Sequence, residues 1–371
     1  MTAATMQFEQ SIAADLATVL RHVDLTPLLG ARLFLTGCTG FVGAWLLRAL
    51  ACLNRDGYSI SATALTRDSA AFAKRNPTLA KATWLRLLPG DVRRGGFDTG
   101  DFDFAIQGAA AVRPGALANP QTVFEDIVLG TRAVLEQAQI SGARRVLLLS
   151  SGAVYGSLPA GESSYVEDMP CHVDPGDAYA SGKMAMEALA LGGRDGASAA
   201  IVIARLFAFA GPWLPDHLAI SQFVAMAANA EAVVLQGDGT PARTLLYGAD
   251  MAVWLLALLA HGDDGAVVNV GSDVPYTLSE VANFTANLAA PKKPVRLGGG
   301  STEVVRQRYV PDIRLARLRY GLAPWTPLAS ALQRQFEFLS SHEVQRPAVA
   351  QDPTIGGRGW TSRLGDPGRK R

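Results

Sequence analysis

The chain has 371 residues, 49% of them hydrophobic and 18% charged, with mean hydropathy +0.15 and a formal net charge of +1. That is ample apolar material for a large core, and it leaves no global field to draw the chain to nucleic acid or to an anionic membrane. The three cysteines (Cys38, Cys52, Cys171) are odd in number and lack C-x-x-C spacing, so neither a disulfide framework nor a zinc site is expected, and a reducing cytoplasm is the default location.

The first twenty residues include Glu9 and Asp15 but no basic n-region, so they do not read as a signal peptide. No uncharged apolar run is long enough to span a bilayer. Phe8, Ile12, Leu16, Val19 and Leu20 have helical spacing and predict a leading helix over 7–23. Residues 31–36 form a short buried-strand pattern that runs into Gly37-Cys-Thr-Gly40-Phe-Val-Gly43 and a helical run over 44–53. Further strands are expected at 59–65, 82–88, 102–106, 145–149 and 199–205, with helices at 121–139 and 180–190 between the later ones. Strands alternating with helices imply a Rossmann-like, doubly wound parallel α/β sheet. From Gly211 the connections lengthen and carry more Gly and Pro. Helices are expected at 250–260, 278–288 and 327–339, and a strand at 266–270 could rejoin the sheet.

The expected organisation is therefore a leading helix at 1–30 and a dinucleotide-binding domain at 31–212, to which 244–272 returns. A smaller C-terminal α/β substrate lobe would comprise 213–243 and 273–340. Residues 341–371, rich in Gly, Pro and Arg, read as a flexible basic tail.

Gly37, Gly40 and Gly43 stand at a strand-to-helix junction. Glycine there allows a tight turn and a close approach of backbone to a pyrophosphate, and the helix N-terminus offers N–H groups and a favourable dipole. Gly37, Thr39, Gly40, Phe41, Val42 and Gly43 are the candidate cofactor loop. The second strand ends Leu65-Thr66-Arg67-Asp68. With Thr66 where an acid often holds the ribose, Arg67 could pair with a 2′-phosphate. That leans towards NADP, although Asp68 leaves NAD open.

Tyr179 and Lys183 lie four residues apart and share a face if helical. A phenol is a poor base at neutral pH, and a nearby cation is expected to lower its pKa so that it can exchange a proton with a hydroxyl. Ser150 and Ser151 close the preceding strand, where a parallel sheet presents its functional groups.

Thr36-Gly-Cys-Thr-Gly-Phe-Val-Gly43, Leu149-Ser-Ser-Gly-Ala-Val-Tyr-Gly156 and Tyr179-x-x-x-Lys183 together resemble the extended short-chain dehydrogenase/reductases. Within them the chain is similar to the NAD-dependent epimerase/dehydratase branch that acts on nucleotide sugars, from about Arg32 to about Leu339. The resemblance implies that Tyr179 is the acid/base. Lys183 would be its partner and would also hold the nicotinamide ribose, and Ser151 would orient the sugar oxygen. Asp91 and Val92 would border the adenine, and Ala109 and Ala110 would line the cofactor cleft. Arg243 would pair with the diphosphate of the nucleotide sugar, as a guanidinium suits. A homodimer built on the helices near 121–139 and 180–190 is also implied.

Four departures bear on the reaction. Gly152 and Ala153 stand where sugar 4,6-dehydratases carry Asp-Glu and decarboxylases usually keep a Glu at the second position, which argues against both reactions. Ile127 replaces an Asn ahead of Gly130-Thr131, Ala208-Phe-Ala-Gly-Pro212 lacks an expected amide, and Gln107 stands where His is usual. Loop or surface roles are expected for His22, His172, His217, His261 and His342, and no metal is. His217 lies in a segment expected to border the sugar. The expected function is hydride transfer at sugar C4 by a nucleotide-sugar 4-epimerase. A 4-ketoreductase that consumes NADPH shares the half-reaction. A non-catalytic dinucleotide sensor is the alternative of another class.

Overall fold

A computed structural model describes residues 3–110, 119–193, 199–298 and 308–341. Its centre is a seven-stranded sheet: β1 (Arg32–Leu35), β2 (Ser61–Thr66), β3 (Leu85–Pro89), β4 (Phe104–Gln107), β5 (Arg145–Ser151), β6 (Ala200–Leu206) and β7 (Ala266–Val270). All pairings are parallel and the spatial order is β7-β6-β5-β4-β1-β2-β3. This is the expected Rossmann-like, doubly wound sheet. The strands read as apolar runs because helices cover both faces. Val146, Leu147 and Leu148 of β5 and Val202, Ile203 and Ala204 of β6 are all fully buried. The order reverses between β1 and β4, so the helices that follow these strands leave to opposite faces of the sheet and a crevice opens at the carboxyl edge.

Helices flank the sheet: α1 (Ala3–Leu20), α2 (Phe41–Arg55), α3 (Pro120–Ile140) and α4 (Ala178–Gly192). A fifth, α5 (Gly248–His261), is buried along its whole length except at His261. It lies between the sheet and α1 and α2, which explains why its sequence is apolar all round. α1 begins at Ala3 and ends at Leu20, four residues earlier than expected at its start and three at its end, but it buries the same stripe of Phe8, Ile12, Leu16, Val19 and Leu20. Two clamps hold it. Glu9 accepts from Arg48, whose guanidinium stacks 3.8 Å over the Trp213 ring. Asp15 accepts from both Arg334 and Tyr247.

Between 211 and 341 the chain forms small sheets and helices. Ala242–Thr244 pairs antiparallel with Pro275–Thr277 and parallel with Arg308–Tyr309, which places Arg243 level with Tyr276 and Tyr309. Val233–Gln236 pairs with Val295–Gly298. Helices 219–229, 278–286, 314–320 and 328–341 complete this part. Of the expected tail only Ser341 is described, as the last residue of a helix; 342–371 lie outside the described residues. Among the described residues no helix is long and apolar enough to cross a membrane.

Candidate active site

Two loops meet at the crevice and are tied by one side chain. Thr36, at the end of β1, accepts at 3.1 Å from the backbone N–H groups of both Gly108 and Ala109, and its hydroxyl donates to the Gln107 side chain. Gln107 is thus a buried partner that fixes the β1 and β4 loops to each other. In the sequence Gln107 is visible only as a departure from the usual histidine.

The three glycines differ in what demands them. Gly37 has φ +72°, and a Cβ on it would collide with the Gly108 carbonyl. A Cβ on Gly43 would collide with the Cys38 backbone. Gly40 caps α2 with φ −89° and ψ −176°, and a Cβ there would meet nothing closer than the Gly37 carbonyl at 3.6 Å. Chain packing therefore accounts for Gly37 and Gly43 but not for Gly40. No side chain caps α2 and no acidic residue stands in its first turn. A bare, exposed glycine over the uncapped start of a helix fits a pyrophosphate. Thr39, Phe41 and Val42 lie in the same turn. Cys38 is buried beneath it, its thiol pushed up to about 12 by burial, which suits packing and not nucleophilic chemistry.

Thr66 is buried at the end of β2, and Arg67 and Asp68 are exposed beyond it. Asp68 caps the helix Ser69–Arg75 by accepting from Ala71 N at 2.8 Å. Asp91 follows β3 and is gripped by Arg93, with a guanidinium contact of 2.6 Å and a backbone bond of 3.0 Å. The Arg93 hydrogen bonds hold the Asp91 carboxyl down to about 2, and Arg67 adds to the effect. Arg93 also reaches Asp126 on α3 at 3.2 Å. Val92 is buried beside Gly130, while Ala109 and Ala110 are half-buried at the end of β4. The structure thus gathers the expected cofactor residues along one edge, with the Arg93–Asp126 link as an unforeseen brace.

Successive residues of β5 point to opposite faces, and the two serines show the consequence. Ser151 hydrogen-bonds the Tyr179 phenol, and its hydroxyl accepts from Ala153 N at 3.1 Å. Ser150 turns away and donates to Glu187, which pairs with Arg205 at 2.8 Å in a buried ion pair. Asp177 caps α4 by accepting from Tyr179 N and Ala180 N. One turn on, Lys183 is buried, donates to the Leu149 carbonyl and lies 5.7 Å from the Tyr179 ring centroid.

The electrostatics correct one expectation. Burial pushes the Tyr179 phenol up to about 12, opposed by the Ser151 hydrogen bond, so it lies above and not below its ordinary value. Lys183 is itself brought down to about 8 by burial, opposed by Glu187, and its ammonium is engaged with a carbonyl. The Asp177 carboxylate at the start of α4 adds to the rise of the phenol.

Arg243 is half-buried in its short strand, with a guanidinium bond to the Ala242 carbonyl at 2.8 Å. His217 is half-buried, and burial holds its imidazole below the usual range.

A family model described as the NAD dependent epimerase/dehydratase family matches residues 33–271. UDP-glucuronic acid decarboxylase 5 of Arabidopsis thaliana is 32% identical over 219 residues, which is 58% of this chain and 63% of that protein. UDP-glucuronic acid decarboxylase 1 of Danio rerio is 27% identical over 331 residues, or 86% of this chain and 75% of that one. The solved structure of MoeE5 in complex with UDP-glucuronic acid and NAD superposes with a TM-score of 0.70 at 26% identity, covering 83% of this chain and 99% of that one. The matched span runs from the glycine turn through the Tyr179–Lys183 helix to the last strand of the sheet, and this chain belongs to the NAD-dependent epimerase/dehydratase family.

Proposed function

We propose that this protein is an NAD(P)-dependent enzyme that moves hydride at C4 of a nucleotide-diphosphate sugar and acts as a 4-epimerase. The observation that carries the reading is the Ser151–Tyr179 hydroxyl pair with Lys183 buried one turn below, at the sheet edge that also bears the glycine turn. Gly40 and the start of α2 would hold the pyrophosphate, Asp91 and Val92 would border the adenine, and Arg243 would meet the sugar's diphosphate. When bound, the nicotinamide supplies the hydride acceptor and donor. Tyr179 takes or returns the proton of the C4 hydroxyl, Ser151 steadies the same oxygen, and Lys183 holds the ribose while its charge favours the phenolate. The UDP-glucuronic acid named for the relatives and for MoeE5 makes a UDP-sugar the first substrate to test.

Decarboxylation and 4,6-dehydration are disfavoured because Gly152 and Ala153 bring no carboxylate to the site. A second reading, a 4-ketoreductase, draws on Arg67 at the end of β2, which favours NADPH. Stoichiometric NADPH consumption marks the reductase, and catalytic cofactor use marks the epimerase. A homodimer through α3 and α4 is part of the proposal. These helices pack side by side and expose Phe124, Leu129, Met184 and Leu189.

The test is Tyr179→Phe, which keeps the ring and removes the oxygen. Against a panel of UDP-, dTDP-, CDP- and GDP-sugars, kcat should fall by about 100-fold or more, with cofactor Kd within about threefold. A variant that keeps wild-type turnover refutes the role. A wild type that binds dinucleotide but transforms no sugar nucleotide favours the sensor.

A further inference from the structure

Among the described residues only Ser59 and Trp213 have a positive φ without being glycine, and Trp213 stands at +66°. A residue with a large side chain is rarely left-handed unless its surroundings hold it there. Here they do. The Arg48 guanidinium lies 3.8 Å over the Trp213 ring, and Glu9 fixes that guanidinium at 2.6 Å. Trp45, Phe8 and Phe338 meet the same ring edge-on, with centroids at 5.1, 6.2 and 5.6 Å. The grip comes from three helices that lie far apart in the chain: α1, α2 and Leu328–Ser341.

Trp213 stands where the chain leaves β6 for the helix at 219–229. Gly211, two residues before it, donates its N–H to Gln335 of the last helix at 3.1 Å. The return path is bound to this outward one, because Leu246–Tyr247 pairs in parallel with Phe209–Ala210. Trp45 lies against both, 5.1 Å from the Trp213 ring and 5.0 Å from the Tyr247 ring. α1 holds the return path too, since the Tyr247 hydroxyl donates to Asp15 at 2.8 Å. Arg243 lies four residues before Tyr247, on the central strand of the three-stranded sheet. The leading helix therefore grips both passages between the large sheet and the small one that bears Arg243.

We propose that Trp213 is a positioning residue: anchored by Glu9 and Arg48, it sets where the strand bearing Arg243 stands relative to the cleft of Tyr179. A guanidinium is attracted to an indole face, and the Glu9 carboxylate keeps this one from swinging away. The anchor fixes the outward passage, and Trp45 and the short parallel pairing carry the constraint to the return passage. The leading helix thereby takes part in substrate binding. The inference rests on the reading of Arg243 as the ligand of the sugar's diphosphate.

Trp213→Gly accepts the same backbone conformation without strain and removes the ring that anchors it. Titration with UDP, dTDP, CDP and GDP finds the nucleoside diphosphate that the wild type binds most tightly. Its Kd should rise roughly tenfold in Trp213→Gly, while the Kd for NAD stays within about twofold. Trp213→Phe keeps an aromatic face beneath Arg48 and should return to within about threefold of wild type. Arg243→Ala should cost the wild type roughly tenfold in the same Kd but cost Trp213→Gly less than about threefold, because the two losses share one cause. Additive losses overturn the proposal and leave the role of Arg243 standing. An equal rise in the NAD Kd marks a general loosening and also overturns it. A wild type indifferent to Arg243→Ala, or one that binds none of the four diphosphates, overturns the diphosphate reading and the proposal together. Should Trp213→Gly fail to fold, Glu9→Ala with Asp15→Ala frees both passages and spares the buried stripe of α1. That variant should raise the diphosphate Kd about threefold or more with NAD affinity kept, and an unchanged Kd overturns the proposal.

Discussion

Gly40→Ala separates a glycine kept for a ligand from glycines kept for packing. The added methyl would find its nearest neighbour, the Gly37 carbonyl, at 3.6 Å, an ordinary contact at an ordinary φ of −89°. Alanine is a poorer helix cap than glycine by about 0.5–1 kcal/mol, but it restricts the unfolded chain by about as much. The protein without cofactor should therefore unfold within about 1 kcal/mol of wild type in urea. The methyl would stand over the uncapped start of α2, where the pyrophosphate must approach. A dinucleotide held off that helix should bind roughly 10- to 100-fold more weakly, which is about 1.4–2.8 kcal/mol. Fluorescence titration with NAD and NADP reads this directly. Gly43→Ala is the control: its methyl strikes the Cys38 backbone, so it should lose about 3 kcal/mol of stability with or without cofactor. Wild-type dinucleotide affinity in Gly40→Ala, or instability equal to that of Gly43→Ala, would refute the assignment of this turn.

Asp91 has its folded-state pKa depressed from 3.8 to about 2 by Arg93, so its stabilisation is present above pH 3.8 and is lost as pH falls through that interval. The shift corresponds to roughly 2 kcal/mol, reduced to about 1 kcal/mol because the Arg93 side chain is 33% exposed. Asp91→Asn should therefore unfold more easily than wild type at pH 6 and equally at pH 2; a deficit that persists at pH 2 would contradict this account. For the proposed dimer, Phe124→Glu with Leu129→Glu should convert the protein to a 39.2 kDa species in sedimentation equilibrium. A wild type already of that mass at micromolar concentration removes the proposal.

The parts legible in the sequence are those in which neighbours along the chain are also neighbours in space. Each strand of the large sheet is an apolar run next to its own helix, so β1, the glycine turn and α2 can be read as one unit. The helix at 69–75 is too short to show a helical period, and only Asp68, which accepts from Ala71 N at 2.8 Å, marks its start. The small sheet could not be read at all. Residues 242–244, 275–277 and 308–309 are runs of two or three residues whose partners lie far off in sequence, so no periodicity marks them. Gln107 shows the same limit from the other side. In the sequence it is a departure from an expected histidine, yet its side chain accepts from the Thr36 hydroxyl and ties two loops together.

The charge at the site has the same origin. The spacing of Tyr179 and Lys183 is local and legible, but the sign of the phenol's shift depends on what surrounds it. Burial raises the phenol and lowers the lysine, and the lysine is sustained by Glu187, one further turn along the same helix. Glu187 in turn is held by Arg205 from β6 and Ser150 from β5. A fold that only had to grip a dinucleotide gains little from burying an ion pair behind a lysine, since desolvating two charges costs about as much as their attraction returns. On the proposed reading the pair has a use. It keeps a carboxylate one turn from Lys183 that opposes the effect of burial, so that the ammonium is held charged beside a phenol that must give up its proton.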